Sequence, residues 1–97
     1  MTPYARRVLD VVDAIPPGRV LTYGDVAELV GSGAARAVGA VLARYGSEVP
    51  WHRVVLATGE PAPGHQAAAL ALLAAEGAPL RGNRVDLAAG RWDGASR

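Results

Sequence analysis

The sequence has 97 residues, two histidines, nine acidic residues and no cysteine. His52 sits in the string Pro50-Trp51-His52-Arg53, and Glu76 closes a later alanine-rich stretch. A histidine beside a carboxylate can activate a nucleophile or hold a water. His65 stands among prolines and glycines, and the other carboxylates mostly fall on faces expected to be solvated, which leaves His52 and Glu76 as the acid–base pair. That pair has no evident nucleophile. No thiol exists, neither Ser32 nor Ser47 is placed beside it by the sequence, and an indole nitrogen is only a donor. Two readings stay open: a structural histidine ordered by its acid, or a hydrolytic water held between the two. Without thiolates or a cluster of ligating side chains, neither a metal site nor a cofactor is expected.

Several elements must position these residues. Thr2-Pro3 is a helix start, an N-cap acceptor followed by proline at the first turn, and Val8, Val11, Val12 and Ile15 recur at helical spacing until Pro16-Pro17-Gly18. This predicts a helix over about residues 3–14. Arg19-Val20-Leu21 reads as a short extended link. Thr22 can cap a second helix over about residues 23–30, with Val26, Leu29 and Val30 inward and Gly31 ending it. A third helix opens after Ser32-Gly33, buries Val38, Val41, Leu42 and Tyr45, and ends at Gly46. Two short helices joined by a glycine turn form a helix-turn-helix. Val54-Val55-Leu56 predicts a short buried strand. Another helix follows from about Gly64 to Glu76, with Ala69, Leu70 and Leu73 inward. Glu76 falls only about 60° around it from Leu73, at the edge of the core, where a carboxylate needs a partner. The tail predicts one weak strand around Val85-Asp86-Leu87, Trp92 on the body, and a fraying polar end.

On the third helix the face opposite the apolar stripe carries Arg36, Ala40 and Ala43, with Ala35 at its start and Gly39 on its flank. Small residues let a helix backbone approach a partner closely, although alanine also simply favours helix. Tyr23, directly before Gly24, could press on a nucleotide backbone and help push a base from its stack, or could be an ordinary amphipathic tyrosine. Arg36 could enter the gap a displaced base leaves, or contact phosphate or solvent.

Composition narrows the class. The chain is 51% hydrophobic and 20% charged with a formal net charge of +1, and no stretch approaches the roughly 18–20 apolar residues of a membrane span. A soluble, single α/β domain over residues 1–97 is expected, mostly helical and built on the helix-turn-helix, with no membrane partner. All ten basic residues are arginine, whose planar fork suits phosphates and base edges, and a GC-rich genome would give the same bias. No basic-then-apolar leader opens the sequence, so a cytoplasmic location is expected, nucleoid-associated when bound to DNA.

Three blocks occur in order: Gly18-Arg19-Val20-Leu21-Thr22-Tyr23-Gly24-Asp25-Val26-Ala27, Ala35-Arg36-Ala37-Val38-Gly39, and Pro50-Trp51-His52-Arg53-Val54-Val55. Together they closely resemble the DNA-binding domain of the O6-alkylguanine-DNA alkyltransferases, over about residues 3–77, with residues 78–97 left as a tail. That family carries Pro-Cys-His-Arg-Val and loads the alkyl group onto the cysteine; Trp51 in its place resembles the alkyltransferase-like proteins. The resemblance implies minor-groove binding of duplex DNA carrying O6-alkylguanine, by a monomer. Tyr23 would rotate the lesion phosphate and Arg36 would fill the vacated space. Trp51, with Tyr23, His52, Arg53 and Val54, would line the lesion pocket. Ala35, Arg36, Gly39, Ala40 and Ala43 would form the DNA-binding helix face, and His52 with Glu76 would be the relay retained without its thiol. It further implies no enzymatic transfer and hand-over of the lesion to nucleotide excision repair proteins. Two other readings are a hydrolase or glycosylase working through water at His52 and Glu76, and a helix-turn-helix adaptor for undamaged DNA. Tyr45-Gly46-Ser47 stands where the transferases carry an Asn-Pro pair, and Glu60-Pro61-Ala62-Pro63-Gly64 lacks a basic residue that some alkyltransferase-like proteins place over the extruded base.

Overall fold

The computed structural model describes residues 1–95; the expected fraying end lies partly outside them, at residues 96–97. Helix α1 spans Pro3–Ala14, capped by the Thr2 hydroxyl, which accepts from the Ala5 amide at 3.1 Å. Strand β1 (Leu21–Thr22) leads straight into α2 (Tyr23–Val30), and α3 (Ala35–Tyr45) follows a glycine turn. Two 3-10 turns, Gly46–Glu48 and Trp51–Arg53, precede strand β2 (Val54–Val55), and α4 covers Gln66–Ala75. The fold is mostly helical, with very short strands. No single helix among the described residues is long and apolar enough to cross a membrane.

The sequence stripe on α1 becomes the centre of the larger core, where Val8, Val12 and Ile15 are fully buried against Val26 of α2 and Val38 of α3. The turn between α2 and α3 is fixed by close approach. Gly33 takes a positive φ of 80°, and a β-carbon there would collide with the Tyr4 ring of α1. Leu29, expected to face inward, is exposed; Ala27 is buried in its stead, because the contact face of this two-turn helix is set by Val26 and its neighbour rather than by Val30's flank. Leu70 of α4 is only partly buried, beside the fully enclosed Leu73 and Ala69.

The supposed link before α2 is half of a parallel pair, with Leu21 opposite Val54 and Thr22 opposite Val55. Because successive residues of a strand point to opposite faces, this short ladder separates two clusters. Leu21 and Val54 join the α1–α3 core, whereas Val20 and Val55 join Leu73, Ala78 and Val85.

The tail also departs from expectation. In place of one strand at residues 85–87, β3 (Leu80–Arg81) and β4 (Arg84–Val85) form an antiparallel hairpin around Gly82, and Leu87 begins a one-turn helix, α5 (Leu87–Gly90). Asp86, placed in that strand by the sequence pattern, is instead the helix cap, accepting from the Ala88 amide at 3.1 Å. Trp92 does pack on the larger core.

Gly59, with a φ of 91°, lies so close to the Val85 carbonyl that a β-carbon would overlap it. Gly59→Ala is expected to cost on the order of 2 kcal/mol, read as a drop of roughly 10 °C in thermal melting. Gly39→Ala, on a helix with nothing within 4 Å of the added carbon, should leave the melt unchanged or raise it. Equal melting of the Gly59 variant and the parent protein would mean that the loop does not rest on the hairpin.

Candidate nucleic-acid interface

Tyr23 is the first residue of α2, and its place is set by a reciprocal cap. The Thr22 hydroxyl accepts from the Asp25 amide at 3.0 Å, and the Asp25 carboxylate accepts from the Thr22 amide at 2.9 Å. Burial raises the Tyr23 phenol above its ordinary value, so the ring presents a neutral hydroxyl at physiological pH.

Tyr23 stands on one bank of an open, mainly apolar groove of about 1020 Å³. Ala35, Arg36, Gly39 and Ala43 continue that bank along α3, and Leu56, Ala57, Pro61, Ala62 and Pro63 form the other. Trp51, His52 and Val54 also line it. Ala40 is exposed on α3 but outside the groove. The helix face predicted from small residues is therefore open, with Arg36 projecting from the first turn of α3.

The 3-10 turn Trp51–Arg53 presents three consecutive side chains to different surroundings. Trp51 meets two imidazoles edge-on, His52 and His65, each with ring centres 6.0 Å away. His52 reaches Glu76 with Nε2 to Oε2 at 2.8 Å, so the pair inferred from sequence is in contact. A deprotonated carboxylate can only accept, so Nε2 carries the proton and Nδ1 is left clear of the acid.

Arg53 corrects the sequence reading. It was expected in the lesion pocket, but it does not line the groove. Its guanidinium forks onto Glu76, Nε to Oε1 at 3.0 Å and Nη2 to Oε2 at 2.7 Å, while Nη1 donates to the Ile15 carbonyl at 2.8 Å. The Gly18 amide donates more weakly to Oε1, at 3.4 Å. An edge-of-core carboxylate was a signal that a cation would be needed; the sequence supplied His52 and concealed that its neighbour takes the larger share. His65 was also passed over. It joins the groove wall because the chain turns back after β2, where Val55 bridges Pro61 in antiparallel fashion.

Arg53's hydrogen bonds foremost, reinforced by His52 and opposed by burial, hold the Glu76 carboxyl down at about 2.

A family profile described as "6-O-methylguanine DNA methyltransferase, DNA binding domain" matches residues 3–78. The chain belongs to that family. It is 48% identical over 97 aligned residues to the DNA base-flipping protein of Escherichia coli K12, covering 93% of this chain and 74% of that protein. A methylated-DNA–protein-cysteine methyltransferase of Methanothermobacter thermautotrophicus is 41% identical over 84% of this chain and 48% of its own length. Among solved structures, Schizosaccharomyces pombe Atl1 in complex with damaged DNA containing O6-carboxymethylguanine is similar at a TM-score of 0.85 and 28% identity, over 96% of this chain and 97% of that one. These relatives place the chain with the alkyltransferase-like members of the family.

Because the folded Glu76 value lies below the ordinary 4.5, its contribution is fully present above that value and is lost as pH falls from 4.5 toward about 2. Glu76→Gln should cost on the order of 2–4 kcal/mol near neutrality by leaving Arg53 and His52 short of their anion. In urea melts the gap between parent and variant should be constant above about pH 5 and close progressively below 4.5. A gap that does not change with pH would contradict an ionised Glu76 in the fold.

Proposed function

We propose that this chain recognises O6-alkylated guanine in duplex DNA, rotates it out of the stack into the groove, and leaves the alkyl group in place. The observation that carries the reading is the composition of the groove. Tyr23, Arg36 and Trp51 line it beside an intact His52–Glu76 contact, and in this reading, from the resemblance of Pro50-Trp51-His52-Arg53 to the transferases' Pro-Cys-His-Arg, Trp51 stands in for their acceptor thiol. The base-flipping relative and the DNA-bound S. pombe structure support the same partner. An alkylated guanine pairs poorly, so its extrusion costs less than the few kcal/mol of an intact pair. Tyr23 rotates the phosphate at the lesion and Arg36 fills the vacated stack. The small residues Ala35, Gly39, Ala40 and Ala43 let α3 approach a shallow groove without holding the backbone away. This docking departs from the usual major-groove use of a recognition helix.

A protein that cannot discharge its ligand acts by persistence. In this reading the chain works in the cytoplasm as a monomer on the nucleoid, and the long-lived complex is handed to nucleotide excision repair proteins.

At fixed salt, the protein should bind a duplex containing O6-methylguanine more tightly than the same unmodified duplex; equal affinity leaves only the phosphate attraction and removes the reading. Tyr23→Ala and Arg36→Ala should each reduce lesion affinity by roughly tenfold while changing undamaged-duplex affinity much less. After long incubation, mass spectrometry should find both polypeptide and oligonucleotide unchanged. A methylated polypeptide would restore the transferase reading, and an abasic or dealkylated strand would favour water chemistry at His52.

A further inference from the structure

The family match ends at residue 78, yet the seventeen described residues beyond it hold both banks of the groove. On one side, the Val85 amide donates to the Gly59 carbonyl at 2.9 Å, and Gly59 has no room for a side chain against the Val85 carbonyl. Gly59 belongs to the tight loop in which the Leu56 amide donates to the Glu60 carbonyl at 2.8 Å, and Leu56, Ala57 and Pro61 of that loop line the groove. On the other side, the tail forms a parallel bridge with the residue before β1. The Val20 amide donates to the Gly90 carbonyl at 3.0 Å and the Trp92 amide to the Val20 carbonyl at 2.8 Å.

Between those two bonds, Arg91 turns its side chain onto α2. Its Nε lies 3.1 Å from Oδ2 of Asp25, the same oxygen that accepts from the Thr22 amide to close the cap beneath Tyr23. Asp86 stiffens the intervening segment, taking Arg81 Nε at 3.0 Å and capping α5. The tail is thus a rigid span with one end on the loop bank and the other on the helix bank.

We propose that residues 79–95 brace the groove, and that Arg91 is a positioning residue for Tyr23: through Asp25 it fixes the start of α2, and with the Gly59–Val85 contact it sets the distance between the banks. Arg91 need not touch the nucleic acid. The proposal rests on the lesion-binding reading above, because groove width matters only if a base enters. The ion pair is part-exposed, Arg91 at 49% and Asp25 at 26%, so its loss should alter placement without unfolding the protein.

The test uses the full chain and four variants. Arg91→Ala should lower affinity for the O6-methylguanine duplex by roughly three- to fivefold, the scale of a part-exposed ion pair, with affinity for unmodified duplex within about twofold of the parent and melting nearly unchanged. Arg91→Lys, which keeps the cation, should recover most of the loss. Since the sequence has no cysteine, Glu28→Cys with Thr58→Cys gives two unique, exposed spin-label sites, one on α2 and one on the loop that carries Gly59. The inter-label distance distribution in the free protein should broaden when Arg91→Ala is added. A parent protein that prefers the lesion combined with an Arg91→Ala variant of undiminished preference, or with an unaltered distance distribution, overturns the brace alone. A parent protein with no preference for the lesion overturns the binding reading and the brace with it.

Discussion

One carboxylate holds the site together. Glu76 sits at the C-terminal end of α4 and takes hydrogen bonds from His52, Arg53 and the Gly18 amide, while Arg53 reaches on to the Ile15 carbonyl at the end of α1. Three chain segments distant in sequence therefore meet on one anion. With Arg53 14% and Glu76 18% exposed, both charges are substantially withdrawn from water, and such groups are tolerable only when each is met by its partners. The turn Trp51–Arg53 is pinned by its last two residues, and Trp51 is thereby aimed at the groove.

The groove itself is defined by what is missing from its banks. Among the described residues, Arg36 is the only permanently charged side chain lining it, and alanine, glycine and proline make up half of the lining. A net charge of +1 taken alone predicts neither a polyanion partner nor its exclusion. Shape, dry apolar contact and the few polar groups facing inward are what such a groove offers for discrimination, conditions under which small displacements of the banks matter.

Much of this was legible from residue types. The first helix followed from Thr2-Pro3 and its valine spacing, the second from Thr22 as its cap and Gly31 as its stop, and the contact of His52 with Glu76 from a carboxylate forced to the core edge by helical period. The misses share a cause. Two-residue strands have no periodicity to read, so the pairing of Leu21 with Val54 is visible only in three dimensions. Arg53 escaped because adjacent residues on a 3-10 turn diverge, and nothing in the string says which of His52 and Arg53 faces the groove. The hairpin at Gly82 did carry a signal, since Gly82-Asn83 between Leu80-Arg81 and Arg84-Val85 is a two-residue turn pattern. Leu29 shows the opposite error, an apolar residue assigned inward on a helix too short to bury a full stripe.

The persistence of a histidine–carboxylate pair in a chain without a thiol has a structural explanation that needs no proton transfer. A carboxyl held at about 2 is ionised near neutral pH, so Glu76 meets the His52 ring as an acceptor and orders it. The bonds to Glu76 come from His52, Arg53 and the Gly18 amide, and removing the anion would leave the withdrawn Arg53 charge unmet. The constraint on His52, Arg53 and Glu76 is therefore one of folding first: the same bonds fix the turn that carries the Trp51 indole to the groove.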